Sequence, residues 1–291
     1  MPHRSWTSRW QRRVPALTPA AWVGVVMVAI PIFIAIFGPA LSPHAPDEIF
    51  GTAFASPSSG HPLGLDFVGR DVLSRFLNGG RTAILVALAG ASIGYAVGVA
   101  IGVVSAYRRG WLDELFGRTT DLVLAFPALI LALLLLAAFG TSIELVVIAI
   151  AITTAPGAVR IARAAALEIV DLPYVEAARA RGETLRYITG REILPNIKGP
   201  LFADFGLRLT AAILLVSALS FLGLGLKPPA ADWGLMIGEN RVALTVQPWP
   251  VLIPVLAIAL ITIGINLILD GQKRRTGDLF AEDTVETTRV V

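Results

Sequence analysis

Six runs of apolar residues, each close to the roughly 20 residues a helix needs to cross a bilayer, punctuate this chain at 21–41, 82–106, 119–139, 142–162, 203–226 and 248–269. Polar intervals of unequal character separate them. The interval 171–196 has helix signals of its own: Asp171 is placed to cap an N-terminus, Pro173 falls in a first turn where a missing N–H costs nothing, and Gly182 suits a left-handed stop. Thr184 can cap a second helix, and Pro195 is expected to limit how far that helix runs. A helix–Gly–helix unit between two spans is the shape of a docking surface.

Composition agrees with the pattern. The chain is 55% hydrophobic and 15% charged, against about 25% charged in soluble domains, and its mean hydropathy is +0.72. The prediction is an all-α polytopic membrane protein. Without cysteine there is no disulfide or thiolate metal site, and the redox compartment is not readable.

Orientation follows from the basic residues. With the N-terminus inside, Arg4, Arg9, Arg12, Arg13, Arg108, Arg109, Arg118, the arginines of 160–191, Lys198, Lys273, Arg274, Arg275 and Arg289 all fall on inner segments. Arg70, Arg75, Arg81, Lys227 and Arg241 fall outside. Both termini and 171–196 are therefore expected in the cytoplasm. Residues 1–20 form a cytoplasmic lead-in, and the run from Ala20 is too long for a cleaved signal. Trp6 and Trp10, among arginines, are expected at the inner lipid interface and not on nucleic acid.

The first outer segment, 42–81, is rich in Pro, Gly and Ser up to Pro62 and then turns amphipathic. Val72, Leu73, Phe76 and Leu77 make an apolar stripe with Asp71 and Arg75 on the other face, which predicts a helix lying on the outer membrane surface. Gly90, Gly94, Gly98 and Gly102 stand four apart and form a ridge for close helix contact. Pro127 is expected to kink the third span. Residues 276–291 form a polar tail, expected to be disordered past Gly277 and on the cytoplasmic side.

Charges near the spans are candidates for the membrane path or its gate: Asp121, Asp204 and Arg208. All three are expected near cytoplasmic ends, with Asp204 and Arg208 four apart and able to pair. No catalytic residue is identified. There is no Gly-x-x-x-x-Gly-Lys-Ser/Thr loop for nucleotide phosphates and no Gly-x-Ser-x-Gly elbow. His3, His44 and His61 have no zinc-like spacing to neighbouring acids, so no metal site is predicted.

Several motifs carry a family resemblance. Glu176-Ala177-Ala178, then Gly182, then Leu194-Pro195 resembles the EAA signature of permease subunits of ATP-binding-cassette (ABC) importers, with Glu192 where an apolar residue is usual. Leu63-Gly64-Leu65-Asp66 with Gly69-Arg70-Asp71-Val72-Leu73-Ser74-Arg75 resembles the motif of the dipeptide/oligopeptide/nickel branch. So do Asp121 with Ala125-Phe126-Pro127, Leu219-Ser220-Phe221-Leu222-Gly223-Leu224-Gly225 with Lys227-Pro228-Pro229 and Asp232-Trp233-Gly234, and Asn266 to Gly271. Val216 stands where that branch usually has Glu.

The resemblance implies a type I importer (MetI-like) permease fold of six transmembrane helices, with a core over 82–275 and a coupling helix within 171–196. It implies a binding-protein-dependent importer of di- or oligopeptides in the bacterial inner membrane. Nickel or another small solute is the alternative cargo, and a secondary transporter or channel the alternative from another class. The implied partners are a second permease subunit, two ATPases carrying ATP and magnesium, an extracytoplasmic binding protein and lipid. The coupling role would fall on Glu176, Ala177, Ala178, Gly182, Leu194 and Pro195.

Overall fold

The computed structural model describes residues 18–225 and 230–288. The N-terminal arginines with Trp6 and Trp10, as well as Lys227, Pro228, Pro229 and Arg289, lie outside the described residues.

Helices follow one another as α1 (Pro19–Leu41), α2 (Val72–Arg108), α3 (Trp111–Leu124), α4 (Ala128–Phe139), α5 (Ile143–Leu167), α6 (Pro173–Ala180) and α7 (Leu185–Tyr187). A π-helical stretch, Ile188–Ile193, then leads into α8 (Leu194–Phe221), α9 (Trp233–Asn240), a 3₁₀ turn at Arg241–Ala243 and α10 (Trp249–Thr288). Two isolated antiparallel bridges, Ile49 with Arg70 and Leu65 with Asp71, are the strand-like pairings among the described residues.

Among the described residues five helices are long and apolar enough to span a bilayer, and the pair α3–α4, bent by 89°, makes a sixth if it counts as one span. The predicted third span is thus two helices. The break falls at Phe126-Pro127, where Pro127 is the N-cap of α4 and has no N–H to continue α3. On α1, Val26, Ile30, Phe33, Ile36 and Phe37 point outward and exposed, as lipid-facing positions must. Its other face packs on α10.

The close pairing of α2 with α5 rests on the glycine ridge. A Cβ at Gly94 would come within 2.4 Å of Ala151 O, at Gly98 within 2.5 Å of Ala155 O, and at Gly102 within 2.5 Å of Val159 O. Backbone meets backbone there, which only glycine permits.

Three expectations are corrected. The predicted surface helix near 71–77 is the start of α2 itself: Val72 and Phe76 are buried on one side, and Asp71 and Arg75 are buried as well. The hydrophobic stripe is real, but its polar side meets other protein groups instead of water. The tail predicted as disordered past Gly277 continues as helix to Thr288. Extending an existing helix costs far less than nucleating one, and no proline interrupts this stretch. The helix that Pro195 was to limit does not stop there. The wider π turn passes Leu194 N–H back to Thr189 O and carries the chain into α8, so Pro195 sits in a first turn.

Candidate functional site

At the end of the bundle where α2 and α5 finish, α6 hangs beneath a small apolar cluster. Val175 and Ala178, three apart on one helical face, are fully buried against Val103, Ala162, Ile188 and Ile193. The opposite face is open: Tyr174, Glu176, Ala177, Ala180 and Arg181 are exposed. Ala178 is therefore a packing residue of this chain, while Ala177 offers a smooth outward surface. Leu194 is half-buried beside the same cluster and Pro195 is exposed.

Local chemistry builds this unit. Leu172, not Asp171, is the N-cap of α6, with Pro173 at the first helical position. Asp171 instead turns to Arg109 across the end of α2, 2.5 Å from its Nη2. Arg179 lies over the Tyr107 ring, its Cζ 4.6 Å from the centroid, and so fixes α6 to the end of α2 a second time. The C-terminus closes as a Schellman turn: Gly182 N–H donates to Arg179 O and Glu183 N–H to Ala178 O, with Gly182 at φ +76°. Thr184 Oγ1 accepts from Tyr187 N–H, as its position predicts.

Deeper in the bundle, Arg208 pairs with Asp204, Nη2 to Oδ1 at 3.1 Å. Its guanidinium occupies the space in front of Gly157, near the middle of α5. A cavity of about 240 Å³ opens beside it at the α3–α4 break, bounded by Phe126, Ala128, Leu131, Thr153, Thr154 and Arg208. A cation and two hydroxyls in an otherwise apolar wall can meet a polar solute. Asp121 is exposed on α3 and does not line this cavity. Val216 is buried in the main core with Leu219 and Trp233, so the position where a carboxylate is usual is filled by packing.

The opposite end is closed by a buried ion cluster. Asp66 Oδ1 accepts from the Val68 and Arg70 backbone N–H groups, and its Oδ2 from Arg70 Nε at 2.8 Å. Arg70 and Arg75 both donate to Glu239 Oε2, at 3.2 and 3.0 Å. Asp232, the N-cap of α9, accepts from Leu235 N–H, and burial pushes its carboxyl up to about 6. Burial also raises the carboxyl of Glu239, against the pull of the two arginines. Trp233 stacks on Phe76 and donates Nε1–H to Phe76 O at 2.9 Å. Asp66, Arg70, Arg75 and Asp232 all belong to stretches read as motifs, but the convergence of Arg70 and Arg75 on Glu239 was not foreseen. Glu239 is separated from Arg75 by 164 residues, and no local spacing announces it.

The fold also gathers three groups that linear spacing had kept apart. One ligand atom each from His44, His61 and Asp71 lie within 4.8 Å of one another.

Comparison with known proteins follows the same lines. Residues 98–277 match the family described as "binding-protein-dependent transport system inner membrane component". Over 268 residues the chain is 33% identical to the glutathione transport system permease protein GsiD of Pectobacterium atrosepticum, covering 91% of this chain and 88% of that one. It is 34% identical over 252 residues to the dipeptide transport system permease protein DppC of Alkalihalophilus pseudofirmus, covering 86% and 83%. Among solved structures, an inward-facing form of the MetNI methionine ABC transporter superposes with a TM-score of 0.54 at 17% identity, over 69% of this chain and 94% of that one. That last likeness concerns the fold.

Proposed function

This chain belongs to the binding-protein-dependent transport inner membrane components, the permease subunits of ABC importers, and we propose that it carries short peptides across the bacterial inner membrane. The family makes it a multi-pass membrane subunit and not itself an enzyme. Peptide cargo is supported by similarity to permeases named for a dipeptide and for glutathione.

The observation that carries the mechanism is the outward face of α6, presented on a rigid cluster at one end of the bundle. In this reading that end is cytoplasmic, in keeping with its arginines, and Glu176, Ala177 and the Gly182 turn meet an ATPase subunit. Two such ATPases would carry ATP and magnesium. A second permease subunit would complete the passage, and a binding protein would deliver peptide at the α9 end. Ala178 and Leu194 support the face from behind, and Pro195 lies beside it. ATP-driven closure moves the equilibrium only if the ATPases hold α6 differently in their open and closed states. Arg208, backed by Asp204, stands where a peptide carboxylate or backbone carbonyl would pass.

Co-expression with the neighbouring subunits and reconstitution in liposomes tests this. The expected result is peptide uptake and peptide-stimulated ATP turnover that both vanish without the ATPases. Uptake by the chain without ATP would identify a secondary transporter or channel, and stimulation by metal chelates but not peptides would reassign the cargo.

A further inference from the structure

At the α9 end, the segment between α1 and α2 folds back on the start of α2 and brings His44, His61 and Asp71 into one cluster. Asp71 is almost wholly buried and caps α2. Its Oδ2 accepts from Ser74 N–H at 2.8 Å and from Ser74 Oγ–H at 2.6 Å. Its Oδ1 is left facing His61, whose Nδ1 lies 3.0 Å away. His44 Nδ1 lies 3.9 Å from Asp71 Oδ2, is buried, and has no hydrogen-bond partner.

That separation is too long for a hydrogen bond but short enough for a shared ion. Donors around a four-coordinate zinc-like ion, at about 2.0–2.2 Å from the metal, sit about 3.3–3.5 Å apart, so the three atoms, all within 4.8 Å of one another, reach that spacing by rotation of the two imidazoles toward Asp71. The surroundings are built: Phe50 packs on both imidazoles, at 4.5 Å from His44 and 4.7 Å from His61 between centroids. Phe50 is itself held by its N–H bond to Gly69 O at 2.8 Å. His44 N–H donates to Ser74 Oγ, which ties the first ligand's backbone to the residue that orients the third.

We propose that one nitrogen each from His44 and His61, with a carboxylate oxygen of Asp71, form a binding site for a single divalent transition-metal ion of the zinc class. Two imidazoles and one carboxylate leave a coordination position open to water. Ligation through His61 Nδ1 uses the tautomer that carries its N–H on Nε2, and the ion then takes the place of the hydrogen bond between Nδ1 and Asp71 Oδ1. Because the three ligands come from the turn after α1, from the loop and from the first residue before α2, the ion ties together a stretch that has little regular structure. It stabilises the folded state by mass action.

The test uses the full-length chain with its partner subunits in nanodiscs, purified with a histidine-free tag and stripped with EDTA. Titration with Zn²⁺ is expected to give one ion per chain and a rise in thermal midpoint. Co²⁺ is expected to give the visible absorption of a four-coordinate N/O site. His44→Ala/His61→Ala should weaken Zn²⁺ binding by at least about 100-fold and lose the rise in thermal midpoint that Zn²⁺ gives the parent. If that variant does not fold, His61→Gln keeps a polar partner for Asp71 and should still lose tight binding and the Co²⁺ spectrum. Absence of stoichiometric Zn²⁺ in the parent, or equal binding by parent and variant, would overturn the proposal and leave a hydrogen-bonded turn only.

Discussion

Arg75 Nη2 donates to Glu239 Oε2 at 3.0 Å, joining the first turn of α2 to the last turn of α9. The Arg75 side chain is wholly buried and that of Glu239 nearly so. Truncating the Glu239 side chain leaves two guanidinium groups with Asp66 as their remaining close carboxylate. Glu239→Ala removes the acceptor that both share and should cost about 3 kcal/mol, the low end for breaking a buried pair. Thermal unfolding in detergent would show it as a lowered midpoint, and an unchanged midpoint would mean that water reaches the cluster.

A pH effect follows from Asp232. Its carboxyl stands at about 6 when folded against an ordinary value of 3.8, so between these values the folded state binds more protons than the unfolded. Stability from this residue is therefore highest at low pH and falls as pH rises through about 6. Glu239, raised for the same reason, adds in the same direction. Asp232→Asn keeps an acceptor for Leu235 N–H but cannot ionise. Its thermal midpoint should gain on the parent's as pH is taken from 5 to 7, and parallel curves would refute the shift.

The ridge on α2 is testable at Gly94, where an added Cβ meets Ala151 O at 2.4 Å and Ala151 Cα at 2.8 Å. Both are backbone atoms and cannot rotate away. Gly94→Val should separate α2 from α5 at a cost of about 3 kcal/mol, read as loss of a monodisperse peak after solubilisation. Gly117, with nothing within 4 Å of its Cβ position, is the control.

Gly182 differs in kind, since its Cβ would meet nothing within 4 Å but its φ is +76°. Gly182→Val should strain the Schellman turn by about 1–2 kcal/mol, with little change in overall stability because the turn is exposed. Peptide-stimulated ATP turnover should nonetheless be lost, while Gly182→Asn, which tolerates this φ, should retain most of it. Full activity of the valine variant would remove the turn from the mechanism.

The spans and the glycine ridge were legible because each is a local, periodic signal: about 20 apolar residues, or one small residue every fourth. Gly182 and Thr184 were legible for the same reason. What was hidden depends on tertiary depth or on distant partners. The amphipathic pattern at Val72–Leu77 fits a surface helix equally well, and burial of Arg75 is visible only once Glu239 is seen opposite. Ala177 and Ala178 are the same residue type in the same motif, yet rotation of 100° places one outward and the other in the cluster.

The claim on which the account turns is that the open face of α6 touches an ATPase subunit. The chain has no cysteine, so a single one at Ala177, carrying a benzophenone maleimide, is a clean probe in the assembled transporter, with Val242, 78% exposed at the α9 end, as the reference position. Photolysis is predicted to give an ATPase adduct from 177, stronger with nucleotide bound, and none from 242. An active assembly that yields no ATPase adduct at 177, or yields one at 242, would contradict it.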